Sequence, residues 1–357
     1  MRKKIKFLMI CAVLTGTGFV LAAIGIAMGG IIRGIQINAQ GIHVYAPSLD
    51  SKNGSEYESA VETLEAFQRI EVDVEYADIR VQSSDSQEYT LSYQLSDAGS
   101  LQKEVKDGTL IVKHGDFRSS GSGFPNLTWF FLGDNIHSDR VTESITIGLP
   151  EDAALSELSL NTDSGDVLCE KIQADSLKIH AEYGDVSLQD VEAGQTELAL
   201  ESGKLQMDQV QGEDCRIKGE YGDVTLKELA LTKDLTVRLE SGDLRFYETT
   251  MQGLNLNCDY GSIDGQQMEF TNAQMNLESG DCKLYDVLLE GCDINAEYGD
   301  VELQLRKDIT DYAYNLQAEY GDIRFGGQKM GTSYVVLGKN AQELINIQCE
   351  SGDIQIK

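Results

Sequence analysis

The side chains in this sequence that could do chemistry are carboxylates, and they recur in one setting. Asp166, Asp185, Asp223, Asp243, Asp281, Asp300, Asp322 and Asp353 each follow a glycine, most often within Glu-Ser-Gly-Asp or Glu-Tyr-Gly-Asp. Two roles suit acids in such a series: accepting hydrogen bonds from turn backbone, or gathering calcium along a ladder. Units stacked about 4.8 Å apart would bring these carboxylates into register. Neighbouring charges then repel by roughly 0.9 kcal/mol in water before salt screening. Lys204 and Ser262 interrupt the series, and the close-set Gly/Asp nonapeptides of calcium-binding β-rolls are missing. Turn capping is therefore the expected role, with at most weak calcium binding and no other cofactor. His43, His114, His137 and His180 are scattered without metal-ligand spacing. No nucleophile elbow, phosphate loop or zinc signature is present, so no catalytic, cofactor or metal residue is expected.

The glycines that carry these acids set the architecture. Gly165, Gly184, Gly203, Gly222, Gly242, Gly261, Gly280, Gly299, Gly321 and Gly352 follow one another at gaps of 19, 19, 19, 20, 19, 19, 19, 22 and 31 residues. A fixed period of this length marks stacked units, each too small to bury its own apolar face. Between glycines the apolar residues alternate, as in Val186, Leu188, Leu198 and Leu200, which is the strand period. The expected fold is all-β: a single-stranded β-solenoid of about 19-residue rungs, or of paired 38-residue rungs. The residue before the glycine alternates between Ser164, Ser202, Ser241 and Ser279 and Tyr183, Tyr221, Tyr260 and Tyr298. Two positions earlier, Leu200, Leu239 and Leu277 accompany serine, and Ala181, Gly219, Cys258 and Ala296 accompany tyrosine. Residues two apart on a strand share a face, so the tyrosines are expected to fill the core in exchange for the leucines.

Outside the repeats the chain changes character. Residues 1–6 carry Arg2, Lys3, Lys4 and Lys6, and 7–32 is an uncharged run closed by Arg33. This is long enough for a spanning helix, with the basic end cytoplasmic. Setting those five cations aside leaves 24 Lys and Arg against 59 acids, a net of −35 for the remainder. Such a charge disfavours nucleic acid and anionic lipid. Residues 33–64 read as a juxtamembrane stalk, 65–160 as a β-rich N-terminal cap and 161–357 as the solenoid, ending with almost no cap after Gly352. Within the cap, Phe124, Trp129, Phe130 and Phe131 follow the flexible Ser119–Gly123 stretch. They are the candidate partner-binding residues, with a hydrophobic plug over the open stack as the competing role. Cys169, Cys215, Cys258, Cys282, Cys292 and Cys349 fall on inward positions and share no column, so a disulfide framework is not expected.

The Phe67–Ile70–Val72 strand, the Asp107-Gly108 turn, the Ile145–Ile147–Leu149-Pro150 strand and the serial Ser-Gly-Asp-Val rungs resemble the bacterial putative-adhesin domain family. That family is related to the toast-rack domains of Lia-type envelope-stress proteins. The resemblance implies a non-enzymatic, extracytoplasmic domain for adhesion or stress-related contact with a membrane or envelope protein, and carries no catalytic residues over. A carbohydrate-active β-helix enzyme is the alternative. A clustered groove of acids and aromatics outside the repeat would favour the enzyme, and a smooth ladder the scaffold.

Overall fold

Alternating apolar residues give each rung one face to bury, and the breaks in that alternation set its shape. In Val186–Ser202 the buried residues are Val186, Leu188, Val191, Ala193, Thr196, Leu198 and Leu200. Two non-inward residues separate Leu188 from Val191 and Ala193 from Thr196, and Gly203 with Lys204 closes the circuit. A rung is thus three short inward-facing runs joined at three corners. The computed structural model describes residues 34–38, 41–45, 58–115, 127–129, 143–336 and 343–357, which belong to two compact units.

In the larger unit the rungs stack parallel and in register. Val167 lies opposite Val186, and Val186 opposite Leu205; the same pairing runs through Leu244–Tyr260, Ile263–Ser279 and Cys282–Tyr298. One circuit is therefore the 19-residue unit and not a paired 38. The extra residue before Gly242 is absorbed near Thr232 and Lys233, because Gly212 still pairs with Leu231 whereas Cys215 pairs with Leu235. Asn276 donates to Asn257 and Asn295 to Asn276, each at 3.0 Å, so side-chain amides add a second ladder along the stack. The six cysteines on the rungs are buried and free. Burial pushes the Cys169, Cys215 and Cys282 thiols up to about 12, so they are inert packing groups.

Two corners demand unusual backbone. At the first, Gly222 has φ +144° and its missing Cβ would stand 1.8 Å from the carbonyl oxygen of Gly203. At the second, Lys171, Asp190, Gln209, Glu228, Glu248, Gln267 and Asp286 hold φ between 50° and 58°. These are left-handed positions filled by side chains that reach solvent instead of by glycine.

Both ends of the stack are closed by strands of reversed direction. At the first end Arg69–Val74 lies parallel between Glu157–Ser164 and Thr109–His114, and Gln102–Lys106 covers the latter antiparallel. Beside it Ser144–Pro150 pairs parallel with Asp78–Ser84 and antiparallel with Tyr89–Leu95, whose outer edge is Glu58–Leu64. At the other end the chain departs from the expectation of an uncapped terminus. Leu344–Ser351 does not follow the rung of Gly321; it inserts beneath it, pairing with Cys282–Tyr298 on one side and Ala313–Ala318 on the other. The outermost strands are Ser333–Val336 and Gln328–Gly331, both antiparallel. Tyr312, Tyr314, Phe325 and Tyr334 cluster there at centroid separations of 6.3, 4.8 and 4.9 Å. Aromatic burial thus closes this end.

The smaller unit holds the antiparallel hairpin Gly34–Asn38 and Gly41–Tyr45, with Leu127–Trp129 antiparallel on the free edge of the first strand. No helix among the described residues is long and apolar enough to cross a membrane; the spanning segment expected at 7–32 lies outside them.

The two corners respond oppositely to substitution. Gly222→Ala places a methyl against carbonyl oxygen and is expected to cost about 3 kcal/mol or more. Gln267→Gly relieves a left-handed strain of about 1–2 kcal/mol, less about 0.5–1 kcal/mol of glycine entropy, so its Tm stays level or rises. Chemical denaturation of the two variants checks both signs.

Candidate interaction face

By the two-residue rule Tyr183 should share the buried face of Ala181. It does not: Ala181 is fully buried and Tyr183 is 60% exposed. The rung pairing skips Glu182 between Ala181 and Tyr183, so the alternation shifts there, at the approach to the corner at Gly184, and the ring faces outward. Exposure across Tyr76, Tyr183, Tyr221, Tyr260, Tyr298 and Tyr320 runs from 58% to 70%. The expectation that these tyrosines are core pieces, exchanging volume with leucine inside a rung, is therefore wrong. The size alternation of the inward position works between rungs instead. Gly219 pairs with Leu239, whose Cδ2 lies 2.8 Å from where a glycine Cβ would stand, so the large residue leans over the small one.

The outward column follows space and not chain order. Along the chain Tyr298 is followed by Tyr320 and then Ser351, which breaks the alternation. In the stack Ser351 lies opposite Tyr298. The Tyr320 N–H donates to the Glu350 carbonyl at 2.8 Å, which sets Tyr320 beyond Ser351. At the other end the Ser164 N–H donates to the Glu75 carbonyl at 2.8 Å, beside Tyr76. The column therefore reads Tyr76, Ser164, Tyr183, Ser202, Tyr221, Ser241, Tyr260, Ser279, Tyr298, Ser351, Tyr320. Successive tyrosines stand two rungs apart, about 9.6 Å.

Acids flank this column on both sides. The residue before each tyrosine or serine is acidic throughout, as in Glu75, Asp163, Glu182, Glu201, Glu220 and Glu240. Beyond the glycine the aspartates form a hydrogen-bonded ladder. Oδ1 of Asp78 accepts the Asp166 N–H at 3.0 Å, Asp166 that of Asp185 at 2.8 Å, and Asp185 that of Lys204 at 2.8 Å. Asp281, Asp300 and Asp353 accept from Asp300, Asp353 and Asp322 at 3.0, 2.8 and 2.9 Å. These are the turn-capping aspartates expected from sequence, except that the donor belongs to the neighbouring rung. Lys204 and Ser262 carry no carboxylate to pass the ladder on. Arg245 ties Asp223 to Asp243 at 3.2 and 2.8 Å. The Asp243 amide, and then Arg245, hold the Asp223 carboxyl below its ordinary value; Lys283, then the Asp300 amide, do the same for Asp281.

One stretch of the face brings three ligand-type side chains together. His180, Glu182 and Glu201 place one donor atom each within 4.8 Å of one another. Partial burial and the charges of Asp163 and Glu201 raise the Glu182 carboxyl, while His180 opposes that rise. Nitrogen with two carboxylates is a donor set that a divalent ion accepts. Sequence spacing misses this group because Glu201 sits on the rung after His180. Of the aromatic insert, Trp129 lies in Leu127–Trp129 in register with Ile35; Phe124, Phe130 and Phe131 lie outside the described residues.

The Toastrack DUF4097 family profile matches residues 67–253 and 213–357, which take in the parallel, glycine-cornered stack. The chain belongs to that family. No protein of curated function matches it. Among solved structures it is similar to a "putative lipid binding protein" from Parabacteroides distasonis at 15% identity, over 84% of this chain and 97% of that one, TM-score 0.46. A "putative adhesin" from Bacteroides fragilis is 14% identical over 86% and 98%, TM-score 0.36, and a "putative cell adhesion protein" from Clostridium sporogenes 13% over 85% and 99%, TM-score 0.22. In this toast-rack chain the column of six tyrosines is the feature that the packing of the rungs does not require.

The aspartate ladder gives the toast-rack a pH signature. Carboxyls held low in the folded state stabilise it above their unfolded value, near pH 4, and that stability is lost as pH falls through the lower folded value. Asp281→Asn is expected to cost about 1 kcal/mol at neutral pH and to make the fall in Tm below about pH 4 shallower than in the parent. Parallel melting curves across pH 2.5–7 check this, and an unchanged slope assigns Asp281 no part in acid unfolding.

Proposed function

We propose that this toast-rack protein is a non-catalytic, adhesin-like interaction scaffold of the cell envelope. Residues 7–32 anchor it in the membrane with the N-terminus cytoplasmic, and the acidic solenoid stands outside. The observation that carries this reading is the outward tyrosine column. Six large aromatic side chains are held in solvent by the same corner on alternate rungs, at a place where serine serves the fold equally well. Exposed aromatics in a fixed array are contact residues before they are anything else. The acids around them repeat rung by rung and one oxygen of most ladder aspartates is already committed to backbone, which supports a scaffold over a carbohydrate-active enzyme. Calcium has no required part in this reading, since the ladder is joined by amides.

The partner in this reading is a membrane or envelope protein. The insert of Phe124, Trp129, Phe130 and Phe131 is the second proposed contact. Photo-crosslinking in intact cells separates the two. Replacing Tyr183, Tyr221 and Tyr260 by serine is expected to leave Tm within a few degrees and to abolish the crosslinked species, whereas Trp129→Ser reduces it in proportion to the insert's share. Unchanged crosslinking in both stable variants overturns the reading. Protease added to wall-stripped cells should degrade the chain beyond about residue 40; full protection would remove the extracytoplasmic placement.

A further inference from the structure

We propose that the tyrosine–serine column is a rail for a cationic, proline-rich segment lying along the stack in the polyproline II conformation. This rests on the reading of the column as the contact face and adds what the face recognises. The first argument is period. Tyrosines recur every two rungs, about 9.6 Å, and a polyproline II helix turns once in three residues of 3.1 Å, about 9.3 Å. Over the five intervals from Tyr76 to Tyr320 the two repeats slip by only about 1.5 Å. A β-strand repeats its faces at about 6.8 Å and misses by about 2.8 Å in the first interval, while two α-helical turns span about 10.8 Å and slip by about 6 Å over the five.

The second argument is shape and chemistry. A serine stands between successive tyrosines about 9.6 Å apart, a spacing that leaves room for a proline between them, as in aromatic grooves that accept such helices. Polyproline II carries no internal hydrogen bonds, so its carbonyls are free to accept from the tyrosine and serine hydroxyls of the column. The third argument is charge. Acid columns run on both sides, among them Glu182, Glu201 and Glu220 before the column and the aspartates beyond the glycine. The two edges of the ligand prism turned from the tyrosines face those columns, and arginine on either one gains charge-assisted bonds to carboxylate and contact with tyrosine faces. Some of these acids pair within the chain, as Glu220 does with Lys218, but the columns keep an excess of negative charge that would repel an anionic ligand.

Titration of the full-length chain with synthetic peptides decides the matter. Repeated Pro-Pro-Arg triplets should bind saturably and weaken with salt. Repeated Gly-Ser-Arg, with the same charge and no preformed helix, should bind at least about tenfold more weakly, and Pro-Pro-Glu not at all. Replacing Tyr183, Tyr221 and Tyr260 by serine should weaken Pro-Pro-Arg by about tenfold or more. Ser202→Tyr with Ser241→Tyr fills the slots while adding aromatic surface, and should weaken it as well. Since all five positions lie on the outward column, melting curves should show each variant folded. Equal binding of Pro-Pro-Arg and Gly-Ser-Arg reduces the contact to charge and overturns the proposal. Tyrosine-dependent binding of an uncharged chito-oligosaccharide without binding of Pro-Pro-Arg replaces it with a glycan face. If cellular crosslinking needs the tyrosines but Pro-Pro-Arg does not bind, the contact face stands and the polyproline assignment falls.

Discussion

The stack depends on one close approach. At the first corner of each rung a glycine sets its α-carbon where any Cβ would meet the carbonyl oxygen of the corner residue below, Ala77 under Gly165 and a glycine from Gly184 to Gly352, at 1.8 to 2.2 Å. No other residue permits this, so the corners must fall directly over one another and the register of all three sides follows. The aspartate beyond the glycine then accepts the amide of the next rung, which satisfies a donor that the turn would otherwise leave unpaired. Register, once fixed at this corner, also aligns the asparagine amides and the inward leucines that lean over small neighbours.

Much of this was legible in the sequence. The glycine spacing and the period-two alternation suffice for a parallel stack of 19-residue rungs, because each is a direct consequence of the geometry it reports. Buried free cysteines and turn-capping aspartates followed from their places in the same repeat. The direction of Tyr183 was not legible, because the two-residue rule holds only along an unbroken strand and the approach to the corner at Gly184 interrupts it. Nor was the place of Leu344–Ser351. Gaps of 22 and 31 residues say that the last units are irregular, but not that the final strand passes beneath its predecessor. The proximity of His180 and Glu201 was hidden for the related reason that rungs bring together what the chain separates.

The insertion of the last strand restores an order that the chain alone violates. Tyrosine and serine alternate through the whole column only because Ser351 stands between Tyr298 and Tyr320. Packing of large against small residues acts on the inward position and leaves the outward one free. An alternation that survives a change of chain order is therefore a property of the surface. It gives the acidic solenoid an aromatic period of two rungs, and this period is what any elongated ligand would meet.

Cysteine pairing measures that order directly. In one variant Tyr298→Cys is joined with Ser351→Cys, and in the other with Tyr320→Cys; the native rung cysteines are buried and do not compete. Adjacent rungs at about 4.8 Å fall within disulfide reach, whereas two rungs at about 9.6 Å exceed the limit of about 7 Å between α-carbons. Under mild oxidation the first pair is expected to form an intramolecular disulfide and the second to remain reduced. A disulfide between positions 298 and 320, with none between 298 and 351, would contradict the spatial alternation on which the interaction face rests.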